Sequence, residues 1–261
     1  MTKAKSGNYV RHMSIHALWC HPRSVSTAFE RIMRARGDIE VLHEPFMYHH
    51  YLTQTERLFP DFTPEPGHPQ TYSDIRQMII DRSASSPIFF KDMAYYVLAD
   101  LPADPDFAVR MSHAFLVRDP AESIVSYHGR DPDFTLAELG LEAQYKLYQA
   151  LVDQGQDPLV MTADQLRNMP EATLGRYWRH VGLARAPDAF RWGNRVPDGW
   201  QSVVAWHKDV LEHGAIKKPD STRNYDAEVV DLGAPFTTYE RHHRPYYEKM
   251  RELAEQGGHQ K

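Results

Sequence analysis

His21, Pro22, Arg23 and Ser24 close an apolar run and stand just before Ser26 and Thr27 in the segment ALWCHPRSVSTAFERIMRARG, Ala17 to Gly37. The chemistry open to such a set is the holding of an anion. Arg23 brings a permanent charge with a planar fork of donors. Ser24, Ser26 and Thr27 bring hydroxyls. A helix starting here leaves its first backbone N–H groups, from Ser24 through Val25 to Ala28, unsatisfied and electropositive at its mouth. The segment lacks the glycines, lysine and magnesium-binding hydroxyl of the G-x-x-x-x-G-K-[ST] nucleotide loop. Taken alone, it reads equally well as a strand-to-helix turn with ordinary capping residues.

A second set stands in HAFLVRDPAESIVSYHGR, His113 to Arg130. An apolar strand ends at Val117, Arg118 follows, and Pro120 suits the first turn of a helix. Ser126 comes eight residues after Arg118. An arginine at a strand end and a serine on the next helix can grip one further phosphate together.

These residues need elements to carry them, and the apolar pattern supplies them. Short apolar runs at Ile15–Cys20, Ile39–Leu42, Pro87–Phe90, His113–Val117 and Leu159–Thr162 alternate with helical patterns at Thr27–Arg36, Ser73–Arg82, Ala121–Tyr127, Leu136–Gln154 and Pro170–Val181. Such alternation predicts an α/β fold, three-layer α/β/α around a mainly parallel sheet of about five strands. Thr27 and Glu30 have capping-box spacing, and Phe29, Ile32 and Met33 share one face. Gly37 and Gly182 suit helix C-termini. Phe59–Gln70, with four prolines, reads as a loop and a candidate lid. Trp200–His213 and Tyr239–Gln256 read as helices, with Pro245 kinking or dividing the second. We expect one domain over residues 1–261.

Composition narrows the classes. The chain has 261 residues, 42% hydrophobic and 25% charged, with a net charge of -5. That balance argues against a nucleic-acid or membrane-surface partner. One cysteine, Cys20, excludes an intrachain disulfide framework and reads as a packed thiol. No run reaches membrane-spanning length, and the polar start of the chain does not read as a signal peptide, so a cytoplasmic protein is expected. The adjacent pairs His49–His50 and His242–His243 lack the i, i+4 spacing of a helical metal site, and no metal is expected. The oligomeric state is not set by the sequence.

The pair CHPRSVSTAF and VRDPAESIVSYH resembles the PAPS-dependent sulfotransferases, enzymes that use 3′-phosphoadenosine 5′-phosphosulfate. Their 5′-phosphosulfate loop follows the first strand and is matched by Pro22, Arg23, Ser24, Ser26 and Thr27. Their 3′-phosphate motif is matched by Arg118 and Ser126. The likeness extends weakly to Met161–Leu183. The resemblance implies a P-loop-like sulfotransferase architecture, with Arg23, Ser24, Val25, Ser26, Thr27, Ala28, Arg118 and Ser126 at the donor. The chain departs from the family in places. Val25 replaces a glycine and should not adopt glycine-only dihedrals. Ala28 stands where aryl sulfotransferases carry the tryptophan that stacks on adenine, leaving Trp192 and Trp200 as unranked substitutes. The family's C-terminal Arg-Lys-Gly segment is absent, and Arg195 in RWGNRVPDGW is the nearest stand-in.

The resemblance also implies the chemistry. Glu44 in VLHEPF occupies a place like the catalytic glutamate of carbohydrate and bacterial sulfotransferases and is the expected base; its neighbour His43 should point the other way along the strand. Lys91 in FFKDMAYY is retained from the aryl branch, where a histidine two residues on is the base. Here that place is Met93, so Lys91 is assigned to the donor's bridging oxygen and Asp92 is a secondary base. Tyr48–Tyr51, the proline-rich loop and Tyr95–Tyr96 are candidate acceptor walls. The expected function is sulfuryl transfer from PAPS to a hydroxyl or amine of a small-molecule acceptor, leaving 3′,5′-bisphosphate (PAP) as product. The alternatives are a nucleotide or small-molecule kinase with a degenerate phosphate loop, and a non-catalytic nucleotide-binding relative.

Overall fold

The computed structural model describes residues 14–257 except 58, 194, 208–210, 212 and 213. Five strands form one sheet: β1 (Ile15–Cys20), β2 (Glu40–His43), β3 (Ile88–Met93), β4 (Met111–Val117) and β5 (Leu159–Thr162). Their order is β2-β3-β1-β4-β5, and every pair is parallel. Strands buried on both faces need continuous apolar runs, and β1 and β3 are buried at all six positions. All five strands therefore end on one edge of the sheet. The chain leaves β1 for one side of the sheet and β4 for the other, and the divergence of neighbouring strands opens a crevice at that edge. Arg23 and Arg118 follow those two strands.

The expected strands Ile15–Cys20 and Leu159–Thr162 are found with those bounds; the others shift or lengthen by up to three residues. The first helix, α1 (Ser26–Arg36), buries Phe29, Ile32 and Met33 and ends on Gly37 at φ 73°. The expected helix Leu136–Gln154 is interrupted. Gly140, at φ 78°, separates a short turn from helix Leu141–Asp153. A Cβ there would lie 3.0 Å from the Cβ of His21, so the break lets the chain pass close to the phosphate-type loop. Pro245 does not divide the last helix, which runs unbroken from Phe236 to Gln256. The buried face of that helix includes Tyr247, Met250 and Ala254, and this packing outweighs the one backbone bond that proline forfeits. Of the expected helix Trp200–His213, Gln201–His207 forms tight turns with Val203 out of helical range. Residues 208–210, 212 and 213 of it lie outside the described residues. Among the described residues no helix is long and apolar enough to cross a membrane.

Candidate active site

The loop after β1 curls through the left-handed region twice, at Arg23 (φ 62°) and Val25 (φ 70°). This corrects the expectation for Val25. A β-branched residue there costs about 1–3 kcal/mol, and the curl gathers successive backbone N–H groups into a concavity suited to an anion. The Thr27–Glu30 capping box is not formed. Val25 is the N-cap, without a side-chain bond, and Glu30 turns into the interior. The carbonyl of Val25 accepts from Ala28 and Phe29, leaving the preceding amides without intrahelical acceptors. Ser24 is fully buried, and its Oγ has no hydrogen-bond partner among the described residues.

Arg23 and the second motif meet. Arg23 Nε donates to Ser126 Oγ at 2.8 Å, and Arg118 Nη1 donates to the carbonyl of Arg23 at 2.8 Å. The contact is set from below by His21, whose Nε2 accepts from the backbone N–H of Arg118 at 3.0 Å. Burial, then the Arg118 charge, pulls His21 down to about 3, so the ring is neutral and can accept. Arg118 is itself held by Glu122, which also binds Arg167 at 2.8 Å.

Two cavities open from this loop. One is a cleft of about 420 Å³ lined by Arg23, Val25, Thr27, Ala28, Arg118, Arg167, Trp192, Lys217, Lys218, Arg223 and Tyr225, among others. The other, about 60 Å³, is walled by Phe59, Met93, Tyr95, Tyr96, Tyr127 and Trp206 and reaches Arg23, Ser26, Thr27, Glu44, Lys91 and His207. Arg23 and Thr27 face both. Phe59 stacks on Trp206 in the wall of the smaller cavity, ring centroids 4.6 Å apart.

Glu44 lies in the smaller cavity with its backbone at φ 41°. That turn breaks strand alternation and corrects the expectation for His43, whose Nε2 lies 3.8 Å from Glu44 Oε1. Lys91 Nζ donates to Glu44 in a short buried ion pair. Burial opposes the charge on Lys91, but Glu44, then Glu30, outweighs it and holds the ammonium above its ordinary range. Asp92 lines neither cavity. Its Oδ2 accepts from the N–H of Phe46 at 2.8 Å, and burial, then Glu44, pushes its carboxyl well above the carboxylate range. It supports the loop that carries Glu44. Cys20 is buried, and burial pushes its thiol up to about 12.

Of the expected donor residues, Ser24, Ser126 and Arg195 line neither cavity. Ser24 lies in the loop itself and Ser126 accepts from Arg23, whereas the carbonyl of Arg195 accepts from Arg31 at 2.8 Å. Lys217, Lys218 and Arg223 line the cleft instead. Their signal in the sequence was the basic run Ile216–Arg223 (IKKPDSTR), which carries no glycine and so resembles an ordinary solvated loop. Trp192 lines the cleft, whereas Trp200 is buried and donates through Nε1 to Glu30 at 2.8 Å. Of the expected acceptor walls, Phe59, Tyr95 and Tyr96 face the smaller cavity; Tyr48 and Tyr51 lie behind it in the core.

A family model described as a sulfotransferase domain matches residues 13–228. Among curated proteins, branched-chain-amino-acid aminotransferase-like protein 2 of Arabidopsis thaliana is 31% identical over 208 residues, 78% of this chain and 36% of that protein. Protein 1 of the same name and organism is 26% identical over 208 residues, 78% of this chain and 37% of that protein. The chain thus spans little more than a third of the length of these relatives. Among solved structures, the sulfotransferase domain from the curacin biosynthetic pathway aligns with a TM-score of 0.49 at 15% identity, over 93% of this chain and 96% of that one. A mouse sulfotransferase complexed with PAP aligns with a TM-score of 0.44 at 13% identity, over 93% of this chain and 86% of that one.

Proposed function

The chain belongs to the sulfotransferase domain family, and from that premise we propose that it moves a sulfuryl group from PAPS to a hydroxyl or amine of a small-molecule acceptor. We read residues 1–261 as one domain for this purpose. The observation that carries the proposal is the meeting of Arg23 with Ser126 and Arg118 on one rim of the sheet, between a cation-lined cleft and a cavity holding Glu44 and Lys91. A nucleotide phosphorylated at both ends needs two separate anion grips a few ångströms apart, and a transfer pocket beyond one of them.

The residues suit the donor. The buried, unpartnered Ser24 Oγ awaits a partner in the phosphate-type loop, and an orphaned buried hydroxyl is costly unless a ligand completes it. Ser24, Val25, Ser26, Thr27 and Ala28 supply the helix-mouth cradle for the 5′ end. Arg118 and Ser126 hold the 3′-phosphate, with Lys217, Lys218 and Arg223 adding charge. Trp192 offers an adenine platform.

Catalysis then rests on position and charge. The acceptor oxygen forms its bond to sulfur as the bond from sulfur to the 5′-phosphate oxygen breaks, and the electron pair stays with that oxygen. Arg23 and Lys91 stabilise the charge that develops there. Glu44 removes the acceptor's proton. These cations and the helix mouth provide the positive charge that a kinase draws from magnesium.

A transfer screen with radiolabelled PAPS across alcohol, phenol, amine and sugar acceptors tests the reading. Label should move to at least one class without magnesium. Absence of transfer from PAPS, with phosphate transfer from ATP and magnesium instead, would hand the site to the kinase alternative.

A further inference from the structure

Glu30, His43 and His207 are buried, at 0%, 8% and 6% exposure, and the chemistry above uses none of them. A carboxylate taken out of water persists only when its oxygens are met. Oε1 of Glu30 accepts from Arg34 Nε and Trp200 Nε1, both at 2.8 Å, and Oε2 lies 2.6 Å from His43 Nδ1. Burial works against this charge, but His43, then Arg34 and Lys91, outweighs it and holds Glu30 below the ordinary carboxylate range. Glu30 is therefore an acceptor only, and Nδ1 of His43 carries the hydrogen between them.

The rest of the chain of bonds follows from valence. His43 Nε2 lies 3.1 Å from His207 Nε2, and two lone pairs, or two N–H groups, cannot face each other at that distance. One proton lies between the rings. When the pair is uncharged, it sits on His207 Nε2, and His207 Nδ1 presents a lone pair to Thr27 Oγ1 at 3.4 Å. The Thr27 hydroxyl then donates to His207. When the pair holds one more proton, His207 Nδ1 carries a hydrogen and donates to Thr27. The hydroxyl is then released to donate elsewhere, into the cavities that Thr27 lines.

We infer that Glu30, His43 and His207 are positioning residues that set the direction of the Thr27 hydroxyl, and that donor binding draws one proton into this chain so that Thr27 donates to the donor's 5′ end. The inference rests on the proposed placing of that end at Thr27. The proton comes from the buffer acid and bonds to His207 Nδ1. The former Nε2 proton of His207 passes to His43 Nε2, and the resulting cation lies between the carboxylates Glu30 and Glu44. The charged groups around the two rings are Glu30, Glu44, Lys91 and Arg23. In the ligand-free protein burial, then His43 and Lys91, holds His207 well below its ordinary value, so the His207 ring is itself uncharged before the donor binds. A bound polyanion reverses that balance.

Titration calorimetry with adenosine 3′,5′-bisphosphate at pH 8, where the ligand's phosphates are ionised, reads the proton directly. Run in two buffers of different ionisation enthalpy, the wild type should show proton uptake on binding. Glu30→Gln and His207→Gln should each bind about 3–10-fold more weakly with the uptake lost. His207→Gln and Thr27→Val together should weaken binding no more than Thr27→Val alone, because the first acts through the second. Wild-type binding without uptake, unchanged uptake in a folded His207→Gln, or additive losses would overturn the inference while leaving the donor reading intact. No binding of the bisphosphate by wild type would overturn both.

Discussion

The two cavities that meet at Arg23 solve opposite electrostatic problems. In the cleft the cations outnumber the anions, and Lys217, Lys218 and Arg223 stand exposed on its outer side. In the smaller cavity Lys91 is buried and already matched to Glu44, behind aromatic walls. An excess of accessible charge can attract and hold an anion at modest desolvation cost. A matched buried set holds its groups in fixed positions at low dielectric, where a small change of charge has a large effect. On the proposed function, the difference gives affinity to the cleft and chemistry to the cavity, with Arg23 and Thr27 serving both.

Substitutions can break that division. The largest effect is expected from Glu44→Gln, which should lower kcat by about 10²–10⁴-fold while bisphosphate affinity stays near wild type. Steady-state kinetics beside calorimetry check it, and a loss confined to affinity would place Glu44 with the cleft. Arg118→Ala should do the reverse, weakening the bisphosphate by about 1.5–3 kcal/mol. Because Glu122 then retains only Arg167, Glu122→Gln in the same background tests how much of that loss is left-over carboxylate.

Acid should act on buried histidines of the loop and sheet before it acts on the arginines. Burial first, then nearby arginine charge, pulls His21 down to about 3 and His16 to about 4; burial likewise takes His113 to about 4. The unfolded chain binds protons at these residues from pH 6.5 downward and the folded chain does not. Their stabilisation is thus complete above pH 6.5 and is lost as pH falls toward 3–4. At pH 5 each should cost on the order of 2 kcal/mol, and denaturant melts at pH 7 and 5 measure the sum. Smaller still, the double variant Lys217→Ala with Lys218→Ala should weaken the bisphosphate a few-fold, most at low salt. Arg195→Ala should change neither binding nor turnover by more than about 0.5 kcal/mol.

Much of the cleft could be read from the chain because its inner residues sit at fixed offsets from strands. Arg23 and Arg118 each follow an apolar run, and parallel strands deliver everything after them to one edge. Glu44 was legible for the same reason. Val25 and His43 were misjudged because their directions depend on backbone angles at Val25 and Glu44 that the sequence does not carry. Glu30 matched a capping pattern, yet Trp200 and His43 from other elements, with Arg34 one turn on, draw it inward. Lys217, Lys218 and Arg223 were out of reach because a loop without glycine or periodicity gives no sign of where it returns. His207 was hidden likewise, in a stretch that reads as a plain helix.

The central claim is that one molecule spans Arg23 and Arg118, with a phosphate at each end. Calorimetry without magnesium, comparing adenosine 3′,5′-bisphosphate with adenosine 5′-monophosphate on wild type and Arg118→Ala, tests it most directly. The account predicts that wild type prefers the bisphosphate by at least about tenfold, the worth of a charged hydrogen bond, and that Arg118→Ala loses most of that preference. Equal binding of both nucleotides by wild type, or a preference undiminished in Arg118→Ala, would contradict it.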